Sequence, residues 1–448
     1  MVGCRLNQAE IEQLALSLVE AGVEVVSDPH EADEIVINTC CVTAKASADS
    51  RKMLRHHKAL FPNAHVIGTG CWVSVSKDKP SEQYHILDQA YDNTRKDQIL
   101  VDLLEKTSTN KFGIEQFRPD LGSRNRTRGF VKVQDGCDNR CAYCLTQVAR
   151  GSSVSYDSNK VVAYAQKLHN LGVKEIVLTG VQLGSWGKDL LPRQSLGDLV
   201  QTILDQTEIP RIRLSSIEPW DVNPQLISLF ENPRLCPHLH IPLQSGSDEI
   251  LRSMNRPVST DRFREMLALI RGEKRDFAIT TDIICGFPGE TDELFQQSLE
   301  FIRECQFSGG HVFPFSALQG TMAFSMAEQV QHSIRRERTA VVRHILDESE
   351  RNFIRRRLGT SAQVLLEGKA RHQEVWIWQG WSEDFLRVFV SSKDDLHNQI
   401  LDVKLDELTS AGNIIAYVLS QNNKDGGPKK LNQNSLLITG ENVTLKGS

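Results

Sequence analysis

Long apolar runs are missing from this 448-residue chain, and none approaches the roughly 20 residues that a membrane-spanning helix needs. Aromatic residues are scarce at 6%, but 40% hydrophobic and 24% charged residues are typical of a globular protein with a full core. The amino terminus also lacks an export or transit signal, because Glu10 and Glu12 interrupt it and no basic segment precedes an apolar one. These absences predict a cytoplasmic protein without a membrane partner.

An excess of positive charge is absent as well. The net charge of −5 argues against a protein that coats nucleic acid over its whole surface. Residues 331–371 depart from this average, with ten Lys or Arg residues against five Asp or Glu residues. This segment therefore forms a local basic patch that suits contacts with phosphates.

The first 108 residues alternate between helix-like and strand-like patterns. Apolar side chains recur at helical spacing over residues 11–19. Three strand-like runs follow, at residues 23–26, 34–38 and 65–71. This alternation predicts an α/β domain with a parallel sheet over residues 1–108. Residues 105–128 lack periodicity and are rich in Gly, Asn and charge, which predicts a linker.

Residues 123–357 repeat a strand-then-helix pattern six times. The six strand-like runs are FVKVQ, KEIVLTG, RIRLSS, HLHIPL, AITTDIICG and HVFPF. Six such units predict an open, partial (β/α)6 barrel, and the chemistry of β/α barrels lies at the carboxyl ends of their strands. A candidate site is therefore expected at that rim.

Five short strand-like runs between residues 358 and 422 predict a small β-barrel. Trp376, Trp378, Trp381 and Arg387 in this region could stack on RNA bases, or the tryptophans could form the core of the barrel. Residues 423–448 are polar and contain Gly and Pro, so a disordered tail is expected there.

Ten cysteines without an export signal favour metal binding or catalysis over disulfides. The strongest pattern is GCDNRCAYC, which places Cys137, Cys141 and Cys144 just after the first strand of the partial barrel. Three thiolates would leave one iron of a [4Fe-4S] cluster open, whereas a structural zinc site would need a fourth protein ligand. A zinc knuckle or buried thiols are the alternatives.

Other polar groups follow the predicted strands or lie beside the cysteine loop. The candidates for binding a cofactor are Tyr143, Gly180, Ser216, Glu218, Gln244, Ser245 and Asp282. Each alone could simply serve turn chemistry or helix capping. Their shared placement at one rim favours a common ligand.

Three more cysteines are dispersed: Cys4 in GCRLNQ, Cys40 in INTC and Cys71 in GTGC. Each lies at or just past a predicted strand, so parallel strands could bring the three thiols to one sheet edge. Buried core cysteines are the alternative. Cys41 follows Cys40 and is interpreted as structural, because neighbouring side chains on an extended chain point in opposite directions.

The order GC-x-x-N, NTC, GC, C-x3-C-x2-C and a small β-barrel resembles the radical S-adenosylmethionine (SAM) methylthiotransferase family across nearly the whole chain. The resemblance implies that Cys137, Cys141 and Cys144 hold a [4Fe-4S] cluster that binds S-adenosyl-L-methionine. It implies a second, auxiliary [4Fe-4S] cluster on Cys4, Cys40 and Cys71, and an RNA-binding TRAM domain at the carboxyl terminus. The family usually has a full strand before the position of Cys4, where this chain has three residues.

Several phrases are similar to the branch of this family that acts on N6-threonylcarbamoyladenosine at position 37 of tRNA: VQDGCDNRC, LTGVQLGSWG, RLSSIEP and PHLHIPLQSG. The similarity implies transfer of a methylthio group to C2 of that adenosine. The implied partners are the tRNA anticodon loop, an electron donor such as flavodoxin or ferredoxin, and a sulfur source. The alternatives are isopentenyladenosine in tRNA, an aspartate of a ribosomal protein, and a non-enzymatic RNA-binding protein stapled by a metal.

Overall fold

The computed structural model describes residues 2–77, 86–107, 127–273, 276–372 and 375–419. The tail predicted to be disordered and most of the predicted linker lie outside these described residues. None of the described helices is long and apolar enough to cross a membrane.

The amino-terminal part is a parallel sheet with helices packed on it, as the alternating pattern predicts. Its helices are α1 (Arg5–Glu20), α2 (Ala44–Leu60), α3 (Cys71–Ser76) and α4 (Gln98–Thr107). Its strands are β1 (Glu34–Thr39), β2 (His65–Gly70) and β3 (Gln89–Tyr91), paired in the order β1-β2-β3. Residues 34–38 and 65–71 therefore carry strands where they are expected.

The strand expected at residues 23–26 is wrong. These residues belong to no strand. Val23 and Val25 instead pack against a small apolar cluster that contains Ile67 and Tyr91. Their β-branched side chains gave the strand signal, but such propensity reflects packing against neighbours as much as backbone pairing.

The central part is an open barrel of six parallel strands. They are β4 (Arg128–Lys132), β7 (Glu175–Thr179), β8 (Arg211–Leu214), β9 (His238–His240), β10 (Ala278–Cys285) and β11 (Gly309–Pro314). The orders β4-β7-β8 and β9-β10-β11 are joined by a parallel bridge between Ser216 and His240. All six expected strands are present, and the partial barrel is confirmed.

Helices follow these strands along the chain, and the first of them packs against α3 of the amino-terminal part. They are α5 (Thr146–Arg150), α6 (Ser158–Asn170), α7 (Leu196–Gln206), α8 (Pro224–Ser228), α9 (Asp248–Ser253), α10 (Thr260–Glu273), α11 (Asp292–Cys305) and α12 (His332–Arg357). A two-stranded ribbon of β5 (Gln134–Asp135) and β6 (Val154–Ser155) precedes α6. In α7, a capping box between Ser195 and Asp198 begins the helix. Its apolar face then buries Leu199, Val200 and Ile203 completely, at about 2 kcal/mol each.

Helix α1 occupies part of the concave face of the half-barrel. Ala9 on α1 packs with Phe130 of β4 and Val177 of β7, which point to that face. The amino-terminal part is thereby held against the first two strands of the half-barrel.

The carboxyl-terminal part is a closed five-stranded barrel, as expected. Its strands are β12 (Ser361–His372), β13 (Val375–Ser382), β14 (Arg387–Ser392), β15 (Ile400–Leu408) and β16 (Ile414–Val418), in the order β12-β13-β14-β16-β15. Trp378 is completely buried in its core. Of the two interpretations of the tryptophan-rich run, core packing therefore holds for Trp378.

The turn between β13 and β14 docks on the amino ends of the half-barrel strands. Arg211 and Arg213 donate hydrogen bonds of 3.0 Å to the carbonyl oxygen of Ser382. Phe385 stacks on Trp381 with ring centroids 4.6 Å apart, and Arg128 lies over the Trp381 ring. Trp381 is thus engaged inside the molecule, and the carboxyl-terminal barrel closes the end of the half-barrel opposite the candidate site.

Candidate functional site

The loop with Cys137, Cys141 and Cys144 begins with a turn that requires glycine. Gly136 has φ +69°, and a Cβ on it would lie 1.9 Å from the carbonyl oxygen of Ser152. The Cys137 N–H donates to the carbonyl oxygen of Gly151 at 3.0 Å, so the loop is pinned to the chain that follows it. This close approach sets the starting direction of the cysteine loop.

The structure brings the three thiols of this loop together. Burial raises the pKa of Cys137 to about 12, and the nearby thiols of Cys144 and Cys141 add to the shift. The Cys137 thiol donates to Oε1 of Gln182 at 3.4 Å, and the Cys144 thiol donates to the Thr146 hydroxyl at 3.0 Å. The environment of Cys137 therefore favours its protonated thiol until a group that binds sulfur displaces the proton.

Arg256 connects this loop to Glu218. Burial raises the pKa of the Cys141 thiol, and the adjacent Arg256 opposes that rise. Arg256 also donates to both carboxylate oxygens of Glu218, at 2.9 and 2.6 Å. Glu218, which was expected to contact a cofactor, is therefore held by an arginine that the sequence pattern did not single out. The two lie 38 residues apart, and Arg256 belongs to none of the quoted motifs.

Tyr143 and Gly180 pack against protein groups. Tyr143 contacts the apolar cluster that includes Phe287 and Phe315, and burial raises its pKa well above the usual value. A Cβ on Gly180 would lie 2.7 Å from Oε1 of Gln134. That oxygen accepts the Gln182 N–H at 2.9 Å. The missing side chain of Gly180 thus makes room for Gln134, a residue that sequence reasoning missed.

The remaining rim residues follow β8 and β9 in the chain or, in the case of Asp282, lie within β10. Ser216 is exposed, while the buried Ser245 hydroxyl accepts the Ser247 N–H at 3.2 Å. Gln244 adopts φ +70°, and both its N–H and its carbonyl oxygen bond to the backbone of β10. These contacts fix the backbone of the rim.

Asp282 leaves hydrogen-bonding capacity unused. Its Oδ2 lies 3.3 Å from Nε2 of His240, and its buried Oδ1 has no hydrogen-bond partner among the described residues. The buried hydroxyl of Ser215 also has no hydrogen-bond partner among the described residues. Since buried polar atoms are rarely left unpaired, this rim suits a ligand with hydrogen-bond donors.

The dispersed cysteines also converge. Gly3 has φ +118°, and a Cβ there would lie 2.8 Å from that of Cys40, so the segment before Cys4 can approach β1. Burial raises the pKa of Cys40 to about 11, and the thiols of Cys71 and Cys4 add to the shift. Three residues that are far apart in the sequence therefore share one corner of the sheet.

Cys41 packs in an apolar cluster that contains Cys71 and Leu145. It is 4% exposed, and burial raises its pKa, with further contributions from Cys71, Cys40 and Cys144. Because that cluster contains both Cys71 and the residue after Cys144, the two corners adjoin each other.

A single metal ion has no ready site in this arrangement. Over the described ranges, no group of three or more His, Cys, Asp or Glu side chains is placed to hold one. A zinc site needs sulfur ligands about 2.3 Å from one ion, whereas a [4Fe-4S] cluster binds each thiolate through a different iron.

Arg150, the last residue of α5, joins the two corners. Its Nε donates to the sulfur of Cys71 at 3.2 Å. Its terminal nitrogens donate to Asn7 at 2.8 Å, to Glu10 at 2.9 Å and to Asp135 at 2.8 Å. Burial disfavours the charged form, but Cys71 and the two carboxylates hold the pKa of Arg150 well above its usual value. No spacing in the sequence indicated this residue.

Two family models match the chain. Residues 131–302 match the radical SAM superfamily, and residues 1–90 match the uncharacterised protein family UPF0004. The first match covers the cysteine loop and most of the half-barrel strands, and the second covers Cys4, Cys40 and Cys71.

Curated relatives cover most of the chain. A threonylcarbamoyladenosine tRNA methylthiotransferase of Thermotoga maritima is 37% identical over 82% of this chain and 85% of its own length. A protein of the same name from Bacillus subtilis is 29% identical over 90% of this chain and 92% of its own length. A tRNA-2-methylthio-N(6)-dimethylallyladenosine synthase of Clostridium tetani is 29% identical over 91% and 93%.

The fold has a counterpart among solved structures. A radical S-adenosylmethionine methyltransferase, TsrM, from Kitasatospora setae superposes with a TM-score of 0.54 over 73% of this chain and 75% of that chain, at 14% identity. This likeness concerns the fold alone. The family models and the curated relatives lead to one conclusion: the chain belongs to the radical-SAM methylthiotransferase family.

Proposed function

We propose that this protein adds a methylthio group to C2 of N6-threonylcarbamoyladenosine at position 37 in the anticodon loop of tRNA. The observation that carries the proposal is the 37% identity with the Thermotoga maritima threonylcarbamoyladenosine tRNA methylthiotransferase over 82% of the chain. Transfer to isopentenyladenosine is the second candidate, favoured by the 29% identity with the Clostridium tetani dimethylallyladenosine synthase.

Cys137, Cys141 and Cys144 are proposed to hold a [4Fe-4S] cluster whose fourth iron is left for S-adenosyl-L-methionine. When bound, the cluster and S-adenosyl-L-methionine would supply the one-electron chemistry that cleavage of an aromatic C–H bond requires. A side-chain base cannot remove this hydrogen as a proton, because the C–H bond is too weakly acidic. The shared, half-buried loop and the absence of a fourth cysteine in it support this assignment.

The half-barrel rim is proposed to orient S-adenosyl-L-methionine. The unpartnered Oδ1 of Asp282 can accept a hydrogen bond from an ammonium or hydroxyl group. Glu218, held by Arg256, fixes a negative charge beside the loop. Ser216, Gln244 and Ser245 add polar groups at the same rim, and Tyr143 and Gly180 shape the loop and its support.

Cys4, Cys40 and Cys71 are proposed to hold the auxiliary [4Fe-4S] cluster. The convergence of these thiols at one corner of the sheet supports this assignment. Neighbouring Cys41 is proposed to stay outside the ligand set. The reaction also requires a sulfur source and an electron donor such as flavodoxin or ferredoxin.

The basic, exposed side of α12 and the carboxyl-terminal barrel are proposed to bind tRNA. Arg336, Arg343 and Arg355 are exposed on α12. On the barrel, Lys369 lies 4.6 Å and Arg371 5.8 Å from the ring centroid of half-buried Trp376. A cation beside a partly accessible aromatic ring suits a phosphate next to an unpaired base.

Nucleoside mass spectrometry of tRNA tests the function. Cells that lack the protein should lose 2-methylthio-N6-threonylcarbamoyladenosine and accumulate the unthiolated nucleoside, and the wild-type chain should restore it. A Cys137→Ala chain is the matched control and should not restore it. Loss of the isopentenyl nucleoside's methylthio group instead would favour the second candidate. A methylthio group on a ribosomal protein, or zinc without iron in anaerobically reconstituted protein, would reject tRNA methylthiolation.

A further inference from the structure

The side chain of Arg150 bridges the two proposed cluster sites. It belongs to α5, which begins two residues after Cys144, and its Nε–H donates to the sulfur of Cys71 at 3.2 Å. Its side chain is only 2% exposed. A charged donor that is both buried and directed at a proposed ligand sulfur is costly unless its other nitrogens are paired.

An ion-pair network holds Arg150 in this position. Glu10 on α1 and Asp135 on β5 accept from Arg150, and Lys132 binds both carboxylates. Lys96 pairs with Glu10 as well. Three cations thus meet two carboxylates, and the network retains one positive charge next to Cys71. Burial disfavours the Glu10 carboxylate, but Arg150, Lys96 and Lys132 keep its pKa well below the usual range.

We propose that Arg150 is a positioning residue that hydrogen-bonds the Cys71 thiolate in the loaded protein and makes the auxiliary cluster easier to reduce. This inference rests on the proposed function, because it assumes a cluster on Cys4, Cys40 and Cys71. One-electron reduction adds one negative charge to the cluster and its sulfurs. Hydrogen bonds to those sulfurs stabilise the added charge and raise the reduction potential.

The same residue explains how the two corners keep their relative position. Arg150 is anchored to Asp135, which precedes Gly136 and Cys137, and to Glu10 and Asn7 of α1, which follow Cys4. One guanidinium therefore ties the segment before Cys137 to the helix that follows Cys4. A change in either loop shifts the donor on Cys71.

The test uses the full chain with Cys137, Cys141 and Cys144 replaced by alanine, so that only the auxiliary site binds a cluster. Arg150→Met removes the donor and the charge. Lys132→Met is the matched control, since it removes one charge from the same network without a contact to sulfur. The readouts are iron content and the midpoint potential from a dithionite titration followed by electron paramagnetic resonance.

The parent should bind about four irons per chain. Arg150→Met should lower the equilibrium constant for one-electron reduction at least tenfold, a shift of about 59 mV to more negative potential. Lys132→Met should shift it less than threefold, and Arg150→Lys should fall between the parent and Arg150→Met. Equal potentials for the parent and a loaded Arg150→Met chain, or equal shifts in Arg150→Met and Lys132→Met, would overturn the inference.

Two further results separate the possible failures. A parent without iron would reject the auxiliary cluster and with it the proposed function, whereas a loaded parent with an unchanged Arg150 variant rejects only the role of Arg150. If Arg150→Met does not bind iron, the midpoint potential of the loaded Arg150→Lys chain is measured instead. A potential equal to that of the parent would contradict the inference.

Discussion

Arg213 holds Glu175 in a completely buried ion pair at the amino ends of β7 and β8. Its Nε and a terminal nitrogen donate to the two carboxylate oxygens at 2.9 and 3.2 Å, and neither side chain is exposed. The same guanidinium bonds to Ser382 and Glu383 of the carboxyl-terminal barrel. The pair therefore stabilises both the half-barrel and the contact between it and the second barrel.

Acid should weaken this part of the molecule through Glu175. Burial raises its pKa, but Arg213 and Arg211 outweigh burial and lower the pKa from 4.5 to about 2. Its stabilisation is complete above the unfolded value and is lost as the pH falls toward about 2, an effect of about 3 kcal/mol. Urea unfolding between pH 7 and pH 3 should show a steeper loss in the wild type than in Glu175→Gln. Parallel curves would contradict the prediction.

Neighbouring cysteines should differ in their effect on iron content. Cys40→Ala should reduce the iron of the reconstituted protein from about eight to about four per chain, because it removes a proposed ligand of the auxiliary cluster. Cys41→Ala, at an equally buried position, should retain about eight. Iron analysis with absorption spectroscopy makes the comparison. An equal loss of iron from both variants would contradict the assignment of Cys40, and not Cys41, as a cluster ligand.

Alanine substitutions at two glycines around the cysteine loop should have different effects, because one creates a steric clash and the other only backbone strain. At Gly136 a Cβ would overlap the Ser152 carbonyl, whereas at Gly151, with φ +76°, no atom lies within 4 Å. Gly136→Ala should abolish iron binding by the loop. Gly151→Ala should cost about 1–3 kcal/mol from strain alone and keep most of the iron. Thermal unfolding and iron content check both, and a Gly136→Ala chain with full iron would refute the expected clash.

Two tryptophans of β13 should report different roles. Trp376→Ala should weaken tRNA binding about 5- to 150-fold, since one stacked base is worth about 1–3 kcal/mol. Because Trp376 is only partly buried against the barrel core, its loss should destabilise the fold less than Trp378→Ala. Trp378→Ala should instead destabilise the barrel by about 3–5 kcal/mol through the cavity it creates. Filter binding and thermal unfolding of both variants provide the test. Unchanged tRNA affinity in Trp376→Ala would argue against a stacking surface on β13.

Local patterns predicted much of the architecture. The six strands of the half-barrel and the five of the closed barrel lie where alternating or apolar runs indicated them. The pattern was misleading at residues 23–26, where Val23 and Val25 pack without pairing. Strand propensity reflects how well a side chain packs against its neighbours, and a side chain can pack in this way without its backbone pairing to another strand.

The sequence by itself determined the order of the elements, the family, and which cysteines were candidates, because these depend on spacing along the chain. Only the tertiary structure decided that Arg150 meets Cys71, that Arg256 holds Glu218, and that Trp381 stacks inside the molecule. The separation along the chain is 79 positions for Arg150 and Cys71, 38 positions for Arg256 and Glu218, and four positions for Trp381 and its stacking partner Phe385. The first contact arises where the amino-terminal part packs on the half-barrel, the second where segments after β8 and β9 meet at the half-barrel rim, and the third in the turn between β13 and β14. No local periodicity encodes these meetings.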